Sequence, residues 1–431
     1  MKTGFNFLQI IPAVILVALA SSCGGTGSGS GSNGTGGTGG TGGSTANNVA
    51  PLIVDAGPGG IGTVDLAFTT VTVCMPGTTT CQTVDHVQVD TGSEGLRILS
   101  SVLTLPLPQQ TSGGNSAFEC TQFADLTFLW GPIATADIQI AGESAKSVPV
   151  QVINPASATP AAPADCSSNQ SNQQLTQDST VFDIGANAMI GVGPFRQDCG
   201  GACALSVIPG TYYACNSTGC GNTKQSITTQ VQNPVWMFAS DNNGTILQLP
   251  AIPDAGQTTA SGSLIFGIGT QSNNGVGSAV VLPVDSTFAN FTVQFQGTNF
   301  TDVNFIDSGS NGYFFLDSAT LTNPPFNIPM PDCPNSSGLK GFYCPNPTIP
   351  LSASLIGSTA NGTPIGAART INFNVASAQN LLNTTGTAFN DLGGESSGSF
   401  DFGLPFFFGR SVYTAIEGQN TPAGTGPYFA F

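Results

Sequence analysis

The sequence predicts an all-β protein built as two related lobes, and three observations lead there. Short β-branched and aromatic runs such as "FTTVTV", "ATADIQIAG", "SLIFGIG", "FTVQFQG" and "TINFNV" recur between Gly, Asn and Pro clusters. That spacing is the pattern of short strands closed by turns. Charged residues are only 7% of the chain while glycines number 56, a balance that suits an exported, turn-rich β protein. One acidic turn motif occurs twice, each time cut into an apolar strand, in opposite halves of a 431-residue chain. That length holds two medium domains or two lobes of one.

Taken in chain order, Lys2 and the apolar run Leu8–Ala20 read as a signal peptide over residues 1–22, too short to span a bilayer comfortably. Small residues then precede Cys23, as in a bacterial lipoprotein signal, with plain secretory cleavage nearby as the alternative. Gly24 rather than Asp follows the cysteine, so by resemblance to the sorting rule the expected address is the outer membrane, at its periplasmic face or on the cell surface. Residues 23–50 form a Gly/Ser/Thr-rich tether with nothing to pack. The folded part divides into an N-terminal lobe at 51–238 and a C-terminal lobe at 239–431. Short helices fit only near "ASAQNLL" and after Asp317. "FTVQFQG" alternates as a half-buried strand closed by a glycine turn.

Eleven cysteines are awkward in an exported chain, but lipid on Cys23 leaves ten. Cys74, Cys81, Cys120, Cys166, Cys199, Cys203, Cys215, Cys220, Cys333 and Cys344 are then candidates for disulfides in an oxidising compartment. Cys74 with Cys81 and Cys333 with Cys344 are close pairs. A nest of Cys199 with Cys220 and Cys203 with Cys215 is one arrangement among several. Zinc is the competing use, and export favours disulfides over it.

The chemistry inventory is narrow. The formal net charge of −16 disfavours nucleic acid and anionic lipid, so the lipid anchor is the only expected membrane contact. A single histidine, His86, rules out a multi-histidine metal site and reads as a structural strand residue. No phosphate loop or dinucleotide fingerprint is present, and no metal or cofactor is expected. What remains is carboxylates. "VDTGSEGLRIL" at 89–99 and "VNFIDSGSNGYFFLD" at 303–317 each run apolar strand, Asp, hydroxyl residue, Gly, Ser, apolar strand. Asp-x-Gly alone is common here, beginning at Asp55, Asp183, Asp254, Asp391 and Asp401, but the longer motif occurs only twice. Two carboxyls brought together share one proton, so one serves as base and the other as acid toward a water. Asp90 and Asp307 are therefore the candidate catalytic pair. Gly92 and Gly309 permit the sharp turns, and Thr91, Ser93, Ser308 and Ser310 supply hydroxyls to hold the carboxyls.

From these residues outward the chain resembles the pepsin-like aspartic proteases. "ANAMIGVGPF" and "FDFGLPFFFGRSVYTAIE" are similar to the segments that cross behind the two catalytic loops, "NPVWMFASDNNG" to the crossing between lobes, and "GSLIFGIG" to a strand that follows it. The resemblance implies a bilobal fold of two β-barrel-like lobes around a cleft, a monomer that takes a polypeptide substrate or a protein ligand there. It implies catalytic roles for Asp90 and Asp307, cross-bracing by Thr91 and Ser308, and carboxyl-holding hydroxyls on Ser93 and Ser310. The sequence departs from the family at the flap: "CTQFADLTFLWGP" has no tyrosine, leaving Phe123, Phe128 or Trp130 to close over a cleft. Arg97 replaces an aromatic residue, to pair with Glu94, sit near the substrate pocket or stay solvated. Insertions at 105–117, 155–180 and 196–230 reshape or block the cleft. Two functions follow: an aspartic endopeptidase acting as an anchored lipoprotein, or a silent pepsin-fold binding protein, as the plant xylanase inhibitors use the fold. The chain is also similar to a family of uncharacterised secreted bacterial proteins.

Overall fold

Alternation of apolar and polar side chains sets the strands. In Val49–Val54, Ala50, Leu52 and Val54 point inward while Pro51 and Ile53 face solvent. Tight turns reverse the chain between them. Thr127–Ile140 and Glu143–Ile153 pair through a two-residue turn in which Ala141 and Gly142 both have positive φ (48° and 81°). Such a turn matches the right-handed twist of its flanking strands. The "FTVQFQG" reading holds in the same way: Thr292–Phe295 reverses at Gln296 and Gly297 into Thr298–Phe300. The computed structural model describes residues 47–301, 304–396 and 398–431. The proposed signal peptide, Cys23 and the tether up to residue 46 lie outside them; residues 47–50 are not tether, since Asn48 and Ala50 are buried and Val49 opens a strand paired with Ala260–Phe266.

In the first half six strands close on themselves. Cys81–Asp90 pairs with Ala67–Cys74, which pairs with Thr127–Ile140, then Glu143–Ile153, Glu94–Leu99 and Ala188–Val192, and the last returns to Cys81–Asp90. A closed barrel leaves no free edge among these six. The same sheet continues into distant parts of the chain: Val49–Val54 pairs with Ala67–Cys74 of the barrel and with Ala260–Phe266, followed by Gly244–Gln248, Ser411–Ala415, Tyr428–Ala430 and Val281–Pro283. The second half adds two four-stranded sheets. Their shared core is rich in phenylalanine, with Phe295, Phe315 and Phe400 in mutual ring contact and Phe402 against Phe400. Among the described residues helices are short, and two stand where expected. Ala378–Leu382 covers "ASAQNLL", and Ser318–Thr322 starts at Asp317, whose carboxylate caps the Thr320 N–H at 2.8 Å.

One local construction occurs in both halves. Ala188–Val192 runs parallel to Cys81–Asp90 and antiparallel to Glu94–Leu99, filling the space between the strands on either side of the Asp90 turn. Phe400–Phe402 does the same between Asn304–Ile306 and Tyr313–Phe315, on either side of the Asp307 turn. Both inserted strands are wholly buried, which explains their near-continuous apolar sequence.

Five disulfides form, as the cysteine count predicts, but the nested pairing does not. Cys199 bonds Cys203 and Cys215 bonds Cys220. Strand register decides the second pair, since Cys215 and Cys220 face each other across the Tyr212–Asn216 and Gly219–Asn222 hairpin. Cys199 and Cys203 lie at the start of the short Gly201–Leu205 helix, with Cα atoms 5.7 Å apart, within bonding range. Cys74–Cys81 and Cys333–Cys344 pair as expected, and Cys120 bonds Cys166.

Candidate functional site

The two acidic turns meet, and each is held by the other. Thr91 Oγ1 accepts from the Ser308 N–H at 2.9 Å and donates to the Ile306 carbonyl at 2.9 Å. Ser308 Oγ accepts from the Thr91 N–H at 3.1 Å and donates to the Val89 carbonyl at 2.8 Å. Both hydroxyl residues are fully buried, and Gln88 adds a bond to the Gly309 carbonyl at 2.9 Å. A buried polar group needs a partner, and here each turn supplies the other's. The approach is close enough to require glycine: a methyl on Gly92 would lie 2.5 Å from Asp307 Cγ, and one on Gly309 would lie 2.7 Å from Asp90 Cγ.

Asp90 and Asp307 therefore face one another at the junction. Each inner oxygen accepts a turn amide at 2.7 Å, from Gly92 and Gly309 respectively. Each outer oxygen meets its serine hydroxyl, Ser93 at 2.5 Å and Ser310 at 3.0 Å. Burial above all, then the charges of Asp90 and Asp401 and a hydrogen bond shared with Asp90, holds the Asp307 carboxyl well above the usual range. Gly92 is exposed, and Ser93, Asp307, Gly309 and Ser310 are partly exposed, so the junction reaches the surface.

Two further carboxyls surround the pair. Glu94 is buried and accepts the Phe195 N–H at 3.2 Å; burial, then the Asp90 charge, pushes it up to about 8 against the pull of that bond and of Arg97. Asp401, 5% exposed, meets the Ser310 hydroxyl at 2.5 Å. Sequence reasoning passed over Asp401 as one of several Asp-x-Gly runs. The signal was its place between Phe400 and Phe402 in a run that is otherwise apolar.

Arg97 is not a solvated strand residue. It is 1% exposed, donates to the Glu94 backbone carbonyl at 2.6 Å and to the Glu119 carboxylate at 2.7 Å, and lies 3.6 Å from Asp198. The expected partner Glu94 is thus reached through its backbone, while Glu119 takes the charge. The stretch expected as a flap forms the hairpin Asn115–Gln122 with Thr127–Ile140, but two of its candidate closing rings are committed elsewhere. Trp130 stacks on Phe118 and donates to the Pro160 carbonyl at 2.9 Å, and Phe128 is buried in the same cluster. Phe123 is partly buried against Leu99, Leu129 and Ile153. The 155–180 and 196–230 insertions thicken this hairpin: Cys120 ties it to Cys166, and Tyr212–Asn216 adds a strand to its edge. His86 is structural, within 3.4 Å of Asp55 and edge-on to Phe68. Among the described residues no group of His, Cys, Asp and Glu has the arrangement of a metal site.

Fold and site together define an all-β protein in which both halves of the chain contribute an Asp-[Thr/Ser]-Gly-Ser turn to one carboxyl pair. The profile of a family described as "Protein of unknown function (DUF3443)" matches residues 44–431, and the chain belongs to that family. None of the curated proteins matches it.

Proposed function

We propose that the protein is a pepsin-like, bilobal aspartic endopeptidase in which Asp90 and Asp307 activate a water against a peptide bond. The observation that carries this reading is the reciprocal bracing of the two turns by Thr91 and Ser308, which brings two carboxyls together. Asp307 holds the shared proton and Asp90 takes the proton of the attacking water; Asp307 then donates to the oxyanion as it forms. Ser93 and Ser310 keep the outer oxygens from rotating away. The leader, Cys23 and the oxidised cysteine pairs support an exported protein anchored by lipid to the bacterial outer membrane, with a polypeptide as its partner. One observation favours a second reading, a silent binding protein: the hairpin rings Phe128 and Trp130 are packed into its own core.

The test is cleavage of a denatured protein by residues 47–431 between about pH 3 and pH 6, where a carboxyl pair keeps its shared proton. We expect pepstatin-sensitive cleavage that falls by ~10² or more in Asp90→Asn and in Asp307→Asn. Equal rates in wild type and both variants would end the peptidase reading. Peptide binding without cleavage would establish the second.

A further inference from the structure

Ser310 carries the hydrogen-bonded network past the carboxyl pair to Asp401. The Ser310 hydroxyl has one hydrogen, yet two carboxyl oxygens contact it: Asp307 Oδ2 at 3.0 Å and Asp401 Oδ2 at 2.5 Å. If Asp307 is to share its proton with Asp90, the Ser310 hydrogen must point to Asp307. Asp401 Oδ2 can then approach Ser310 only as a donor. The other Asp401 oxygen agrees: Oδ1 is buried and finds no hydrogen-bond donor in the protein. A buried carboxylate with an oxygen left bare is costly, whereas the carbonyl oxygen of a neutral acid tolerates that setting far better.

No cation is among the charges acting on Asp401; Arg410 reaches the Tyr313 side chain on the adjacent strand instead. Asn304–Ile306, on one side of Asp401, carries no ionisable side chain. Tyr313–Phe315, on the other, carries only Tyr313, whose ring packs on Phe373 and Phe402. The charged neighbours that remain are Asp90 and Asp307. Burial, offset in part by Ser310, and then the Asp90 charge push the Asp401 carboxyl up to about 8. The first half has no counterpart. Met189 stands in register with Gln88 as Asp401 stands with Phe305, two residues before each catalytic aspartate, and its sulfur lies 4.0 Å from Ser93 Oγ.

We propose that Asp401 is a positioning residue that carries its own proton and donates it to Ser310, so that three carboxyls and one hydroxyl form a chain Asp401–Ser310–Asp307–Asp90 holding two protons. When Asp401 ionises, Ser310 turns its hydrogen toward it and a negative charge stands beside Asp307. Asp307 then gives up the shared proton less readily. The site accordingly keeps its acid form to a higher pH than an isolated pair would.

This deepens the peptidase reading, and its catalytic half rests on that reading, so the test has two arms. The first is independent of activity. Infrared spectra of wild type at about pH 6, where ordinary carboxyls are ionised, should show the carbonyl bands of several protonated acids, Asp401 with Glu94, Asp307 and Asp391. Asp401→Asn, which keeps an N–H donor to Ser310, should remove one component in the difference spectrum against wild type, and Ser310→Ala should move that same component to higher frequency. Carbonyl bands unchanged in both variants overturn the proposal. The second arm is the pH profile of kcat/KM. The alkaline limb should fall about one pH unit lower in Asp401→Asn than in wild type, the size of a like-charge effect. Superposable profiles in an active enzyme overturn it. An infrared change in a protein without peptidase activity would sink the peptidase reading while leaving the proton on Asp401 established.

Discussion

Gly92 and Gly309 show how little freedom a single position has at this junction. Neither requires a positive φ; what excludes a side chain is the opposing carboxyl, 2.5 Å from the place a Gly92 methyl would take. Gly92→Ala should push Asp307 off its bond to Ser310, cost ~1–3 kcal/mol of stability as an overpacked site does, and remove most peptidase activity. Urea unfolding and the cleavage rate check the two parts; wild-type values for both would mean that the turns do not meet as described. The motif itself was legible because its chemistry is local: an acid, a hydroxyl and a glycine in one tight turn announce their use in four letters. Asp401 was legible only as an acid out of place in an apolar run; its use comes from Ser310, which reaches it only through the fold.

At the scale of elements, Arg97 is the joint between the strand Glu94–Leu99 and the hairpin that starts at Asn115. Its guanidinium bridges Glu119 and the Glu94 carbonyl, both away from water, and the partly buried Thr121 hydroxyl. Removing one partner of such a pair leaves the other charge uncompensated. Arg97→Met should therefore cost ~3–5 kcal/mol, and adding Glu119→Gln should restore much of it. Chemical denaturation of the single and double variants measures this; a single variant as stable as wild type would show that the pair carries no load. No pattern in the sequence could reveal this burial. Arg97 looks like any strand residue until Glu119 and Asp198 arrive from other segments. The cysteines teach the same lesson. Spacing suggested a nest, but register placed Cys215 opposite Cys220. Strands, their turns and the two short helices were readable because each depends on neighbours in sequence.

For the whole molecule, the buried acids predict how stability responds to pH. Burial raises Glu94 to about 8, Asp391 to about 7 and Asp401 to about 8, from ordinary values near 4. Between those limits the folded chain binds more protons than the unfolded one, so stability falls as pH rises. Asp137, Asp165 and Asp317 are lowered instead, and their contribution is lost only below about pH 4. The melting temperature should drop by several degrees between about pH 4 and pH 8, as scanning calorimetry can record. A rise over that interval would contradict the buried-acid arrangement. The cross-brace of Thr91 and Ser308 has a consequence at this scale too. Since each turn's amide and hydroxyl are satisfied only by its counterpart, neither fragment of a severed chain could keep half a working centre in reserve. Such a molecule would behave as a coincidence gate, silent in pieces and competent only on reunion.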